Sequence, residues 1–174
     1  MTAQTSYSQD PGGPFAGMIS DLSMQDRDAV RSAETSANMP FGVGVVDVSA
    51  PGTVQPAPVV LPTSATATLH GIAIFHHARN QSIASTGAIV PNEVFDVLRK
   101  GRITVISETA ITDLTPANRV VHMRIGGTGQ LGGFRNSAVT GQTVTVAGAR
   151  FNKLCGAGGL TELELSDNTT LTAD

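Results

Sequence analysis

Apolar side chains in this chain come in short bursts, each fenced by glycine, proline or a cluster of small polar residues. Residues 41–48 (FGVGVVDV), 69–77 (LHGIAIFHH), 120–125 (VVHMRI) and 143–147 (TVTVA) are strand-length and mostly β-branched. No stretch completes a helical stripe. Residues 19–39 come nearest, but Ile19, Leu22 and Val30 leave the stripe broken. Charge alternates there through Asp26, Arg27, Asp28 and Arg31, which reads as a short surface helix or a polar strand. The pattern predicts an all-β fold, a β-sandwich or barrel-like domain of many short strands, with no internal repeat and no second domain.

The clearest pair of strands falls in residues 93–107 (EVFDVLRKGRITVIS). Val94, Phe95, Val97 and Leu98 lead into Arg99-Lys100-Gly101, and Ile103, Val105 and Ile106 lead out. Gly101 suits a tight reversal because it takes positive φ at little cost. The stretch is therefore expected to be a β-hairpin with a cationic tip of Arg99, Lys100 and Arg102. Such a tip is either a solvated turn that keeps an edge soluble or a contact point for an acidic partner.

Residues 1–18 are expected to form an extended N-terminal arm. Pro11, Gly12, Gly13, Pro14 and Gly17 exclude a helix or an inner strand, and Tyr7, Phe15 and Met18 are isolated apolar handles. An arm of this kind either frays or orders against a neighbouring subunit. Residues 19–167 form the single β-rich domain, and residues 168–174 are expected to fray. Residues 49–68 carry Pro51, Pro56, Pro58 and Pro62 and read as a loop with an edge strand near Val59-Val60-Leu61. Residues 126–133 read as a glycine-rich turn.

Composition narrows the function. Charged residues are 14% of the chain, about half the usual share, so much of the surface is expected to be covered in the working state. With a net charge of −3 there is no basic field to attract nucleic acid. No apolar run is long enough to span a bilayer, and the first residues lack a signal peptide's basic and apolar regions. Cys155 is the only cysteine, which rules out an intramolecular disulfide and fits a reducing cytosol. Asn80-Gln81-Ser82 and Asn168-Thr169-Thr170 match the glycosylation sequon, a pattern common by chance.

None of the candidate chemical groups assembles into a catalytic or cofactor site. Gly127, Gly129 and Gly132 match a dinucleotide fingerprint, but no helix pattern follows to meet a pyrophosphate. His70, His76 and His77 lie close in sequence, yet a strand would turn His77 away from the other two, and no carboxylate pattern completes a metal site. Cys155 sits in no nucleophile signature and reads as a small half-buried hydrophobe. Glu162 and Glu164 share a strand face, which suits acid–base work or simply a half-exposed strand. No catalytic residue, cofactor or metal is expected.

Six blocks in order resemble one family. They are Gln4-Thr5-Ser6-Tyr7, Phe15-Ala16-Gly17-Met18-Ile19-Ser20-Asp21, Met39-Pro40-Phe41-Gly42-Val43, Val97-Leu98-Arg99-Lys100-Gly101-Arg102-Ile103, Ala149-Arg150-Phe151 and Gly158-Gly159-Leu160-Thr161-Glu162-Leu163-Glu164-Leu165. Together they are similar to the structural cement, or head-decoration, proteins of tailed bacteriophages. Residues 50–63 and 126–133 have no counterpart in that pattern and are expected to be lineage-specific insertions. The resemblance implies a non-enzymatic virion protein on the outer surface of the capsid, assembled in the host cytoplasm. Its partners would be the major capsid protein and itself, as a homotrimer, with no direct nucleic acid and no membrane contact. It would tie neighbouring capsid proteins together and stabilise the DNA-filled head. Tyr7, Phe15, Met18, Arg99, Lys100 and Arg102 are the expected capsid or subunit contacts. A phage tail or baseplate structural protein is the first alternative. A receptor- or glycan-binding β-domain is the second, and the absence of Trp with a single Tyr weighs against it.

Overall fold

The computed structural model describes residues 15–35, 38–48, 56–75 and 88–174, and within them every regular element is a strand. In chain order these are β1 (Ile19–Ser32), β2 (Met39–Pro40), β3 (Gly44–Asp47), β4 (Ala57–Val60), β5 (Leu69–Ala73), β6 (Ala88–Ile89), β7 (Val94–Ile106), β8 (His122–Arg124), β9 (Phe134–Arg135), β10 (Thr143–Phe151) and β11 (Leu160–Ala173).

The strands run β1-β4-β3-β5-β7 and β7 pairs back onto β1, which closes a five-stranded barrel. From β7 the sheet continues through β11, β10, β8 and β9 as an outer layer. β2 and β6 form a separate two-stranded ribbon. Only β1 and β4 pair in parallel among the barrel strands.

The apolar bursts become strands buried on both faces. Along β3, Val45 points into one apolar cluster and Val46 into the other. Ile72, Ala73 and Ile74 alternate in the same way at β5, as do Val97 and Leu98 on β7. One cluster gathers Val30, Val45, Val59, Ala73, Phe95 and Val97 from the five barrel strands and fills the barrel, with Met39 and Ile89 of the ribbon against it. The second lies between the barrel wall and the outer layer, where Val46, Ile72 and Leu98 meet Met123, Phe134, Val146, Phe151 and Leu163. Period-two alternation sends successive side chains to opposite faces, so a strand serving two cores carries no polar alternation.

Three expectations are corrected. The first is the hairpin in residues 93–107, which is one continuous strand of 13 residues, so it has no cationic tip. On one edge of β7, Val97 and Leu98 pair with Ala73 and Ile72 of β5; from Gly101 to Ile106 that edge pairs with β11. β1 runs along the other edge. Gly101, at φ 119°, marks the point where β7 changes partner rather than direction. The second is the expected edge strand at Val59-Val60-Leu61. β4 lies inside the closed barrel, with β1 on one side and β3 on the other, and its ladders are only two or three residues long, so the missing Pro58 donor is tolerated. The third is the frayed tail. Residues 170–173 are the last four residues of β11, paired in register with Ala147 to Val144 of β10. Thr-rich sequence is good strand sequence once a partner strand is beside it.

Candidate functional site

The expected contact residues fall on the surface around β7. Phe15 to Met18 form a turn in which the Met18 amide donates to the Phe15 carbonyl at 3.1 Å. This turn is built into the fold. The Gly17 amide donates to the Thr104 carbonyl at 2.7 Å, the Phe75 amide donates to Gly17 at 2.8 Å, and the Thr104 amide donates to Met18 at 2.7 Å. Gly17 has φ +83°, and a Cβ there would stand 2.7 Å from the Phe75 nitrogen, so no other residue fits without displacement. The Phe15 ring stacks on Phe75 with centroids 5.7 Å apart, and Phe41 meets Phe75 edge-on at 5.2 Å. Phe15 is still 51% exposed and Met18 45%. Met18, Thr104, Leu160 and Lys153 line one surface groove, and the neighbouring Ile106, opposite Leu160, is 48% exposed. Tyr7 lies outside the described residues.

The three cations lie in mid-strand. Lys100 Nζ sits 2.7 Å from Asp167 Oδ2, and Arg102 Nε sits 3.2 Å from Glu164 Oε2 and Nη1 3.8 Å from Glu162. Arg150 Nη2 reaches Glu164 Oε1 at 2.8 Å, and Asn152 Nδ2 donates to Oε2 at 2.6 Å. Burial pushes the Glu164 carboxyl up, but the hydrogen bonds from Asn152 and Arg150 and the charges of Arg150 and Arg102 outweigh it, so its pKa is lowered. Glu164 is thus an acceptor for three side chains, and Glu162 stands beside Arg102 on the same strand face. Among the described residues only Arg99 of the three cations has neither a hydrogen bond nor an ion pair, and it is exposed.

The other chemical candidates are also absorbed by the fold. The glycine-rich segment is the β8–β9 turn. A Cβ on Gly132 would stand 2.4 Å from the Gly44 carbonyl, and one on Gly129 would stand 2.6 Å from Arg124 Nε. Gly132 thus answers to close backbone approach, and Gly127 and Gly129 to the Gln142 and Arg124 side chains packed against them. His70 joins three barrel strands, with Nδ1 2.6 Å from Asp47 of β3 and Nε2 3.1 Å from Asp28 of β1. His76 and His77 lie outside the described residues. Among the described residues no group of three His, Cys, Asp or Glu side chains is placed to hold a metal. Cys155 is half-buried, and its backbone bridges Ile111.

Two polar clusters have no signature in the sequence. Arg124, with its side chain 7% exposed, makes a forked contact to Glu108 at 2.7 and 2.6 Å, and that hydrogen bonding raises its pKa above the ordinary arginine value. The Asp174 carboxylate, 3% exposed, accepts from His122 at 2.9 Å, from Thr145 at 2.5 Å and from Thr143. Burial pushes that carboxyl up, and the three hydrogen bonds bring it below its usual value. No local spacing announces either cluster, because the partners come from different strands.

What remains is a small all-β subunit with no assembled catalytic site among its described residues and exposed apolar side chains beside one end of β7. A family model described as structural cement protein (E217 gp24/Pam3 gp6) matches residues 3–166. The chain belongs to this phage cement family. It is a structural, capsid-associated virion component, and the match runs through the arm, the barrel and the first half of β11. No curated protein matches the sequence. Among solved structures, a chain of the capsid of Myoviridae Phage XM1 is 17% identical over 95% of this chain and 98% of that one, with a TM-score of 0.65, and shares the cement protein's fold. The head fiber gp8.5 N base of bacteriophage phi29 is more distant, 11% identical over 84% of this chain and 98% of that one, with a TM-score of 0.47.

Proposed function

We propose that this cement protein binds the outer surface of a phage head as a homotrimer, ties neighbouring major capsid proteins together and stabilises the DNA-filled shell, without enzymatic activity and without touching nucleic acid. The observation that carries the reading is the family match over residues 3–166. The surface is consistent with it: Phe15, Met18 and Ile106 expose apolar area near one end of β7, and further along the same strand Arg99 is an exposed cation with no internal partner among the described residues. Tyr7 joins Phe15 and Met18 as an apolar contact. Arg99 pairs with acidic capsid groups, and Lys100 and Arg102 contribute by exchanging their internal carboxylates for capsid ones. Many modest contacts repeated over a shell supply avidity without a strong single site.

Heads stripped of cement provide the test. Purified protein should rebind and raise the temperature of DNA release. Deleting residues 1–14, which leaves the Phe15–Met18 turn intact, should weaken binding by about tenfold or more, equivalent to about 1.4 kcal/mol. Arg99→Ala should flatten its salt dependence. Unaltered heads in the presence of saturating protein would refute the function. Full binding by the truncated protein would remove the arm from the interface.

A further inference from the structure

The groove beside the Phe15–Met18 turn has a mixed character. It measures about 290 Å3 and lies where β1, β7 and β11 come together. Met18, Ile19 and Leu160 are its apolar lining, and Thr104, Lys153 and Glu162 its polar lining. Met18 is exposed, and the Lys153 ammonium has neither a hydrogen bond nor an ion pair among the described residues. Such a site suits a side chain with an apolar body and a polar tip, and tyrosine is a side chain of that kind.

The chain carries one tyrosine, Tyr7, and the sequence around it leads back to this groove. The Met18 amide closes the turn onto the Phe15 carbonyl, which holds the two α-carbons within about 7 Å of each other. The residues before Phe15 therefore set out from the groove's edge. Asp10-Pro11-Gly12-Gly13 has proline and glycine where the two central residues of a type II turn need them. A reversal there sets Gln9 level with Pro14, Ser8 with Phe15 and Tyr7 with Ala16, beside the Phe15–Met18 turn. The path is short, so closing it within one chain costs little, and a tethered side chain stands at an effective concentration of about millimolar. That favours the subunit's own tyrosine over one from another copy. Residues 76–87 also start close by, after Phe75, but Ile83 is their one large apolar side chain and it has no polar tip.

We infer that the arm reverses at Pro11-Gly12 and seats Tyr7 in the Met18–Leu160 groove of its own subunit, so that arm and sheet face together form one contact surface. The inference rests on the proposed function, which groups Tyr7 with Phe15 and Met18, and adds that the group is assembled before a head is met. A preassembled arm loses less conformational entropy on binding. Tyr7 is its own reporter, since the chain has no other Tyr and no Trp. Acrylamide quenching of tyrosine fluorescence in the free, full-length protein should be about threefold or more weaker than in a synthetic peptide of residues 1–14, as expected for a covered ring. Leu160→Asp should raise quenching to the peptide's level while the protein still melts cooperatively. Gly12→Val, which blocks the turn without touching the strands, should do the same at an unchanged melting temperature, and it carries the test if Leu160→Asp does not fold. Refolding Leu160→Asp together with Tyr7→Ala separates the two sources of a tyrosine. The mixture should stay as quenchable as Leu160→Asp alone; restored protection would mean that the tyrosine crosses to another copy and would overturn the inference. Peptide-like quenching in the wild type would overturn it too, as would protection that persists in the folded variants. If heads are rebound and stabilised while Tyr7 is as quenchable as the peptide, the seat fails alone. If Tyr7 is protected and the heads stay bare, the proposed function fails and the seat stands.

Discussion

β1 and β11 are both 14 residues long and lie against β7, β1 along Val94 to Ile103 of one edge and β11 along Gly101 to Ile106 of the other, yet they are held in different balances of ladder and burial. β1 is bulged and largely polar over its described side chains, with Val30 in the barrel core, Ile19 against the second cluster and His70 reaching across from β5 to hold Asp28. β11 is held by burial. Leu163 and Leu165 lie in the core between the layers, and the Asp174 carboxylate is enclosed by His122, Thr143 and Thr145. A strand's place in this fold is therefore set by what lies beside it more than by its own pattern.

The sharpest way to break the contrast is in the core. Leu163→Ala should cost about 2–5 kcal/mol, while Asp26→Asn on exposed β1 should stay within about 0.5 kcal/mol of wild type. Urea unfolding curves measure both. Comparable losses would mean that β1 is held as β11 is.

Next is the carboxylate that closes β11. Asp174→Asn leaves His122 and two threonine hydroxyls with a poorer acceptor, and the expected loss is about 1–3 kcal/mol at neutral pH. The sign of its pH dependence follows from its lowered pKa. The stabilisation is complete above the unfolded carboxyl's value near 3.9 and is lost as pH falls through the lower folded value. The gap between wild type and variant should therefore hold from neutral pH down to about 4 and then shrink. A gap that widened on acidification would contradict the assignment.

A smaller effect is expected on the β1 side. His70→Ala removes contacts to Asp47 and Asp28 and should cost about 1 kcal/mol. Hydrogen exchange should quicken in β1 and β3 and stay unchanged in β11. Smallest is Lys100→Ala, which removes a pair whose Asp167 side is 69% exposed. It should cost at most about 1 kcal/mol, and the difference should fade with added salt.

The same contrast explains how much was legible in the sequence. The all-β class and the strands β3, β5 and β8 follow from β-branched bursts between turn residues, and the cement family from blocks spread along the chain. Gly101 misled because the apolar runs on its two sides look like hairpin arms; each arm's partner, β5 or β11, lies far away in sequence. The tail misled because Thr-Thr-Leu-Thr has no apolar alternation, and its anchors, His122, Thr143 and Thr145, come from two other strands. The acidic and basic residues of β7 and β11 were visible as charges, but their mutual pairing depends on the register of Arg102 against Glu164. The contact surface was legible only as residue types: Phe15 and Met18 are exposed beside β7, and the cationic cluster is divided between the internally paired Lys100 and Arg102 and an Arg99 with no partner among the described residues.

The measurement that tests the central claim most directly is a cryo-electron microscopy map of heads decorated with this protein. The five-stranded barrel should appear in repeated outer positions between neighbouring major capsid proteins, three copies around each local threefold axis. Density confined to the tail or baseplate, or a head surface without the barrel, would contradict it.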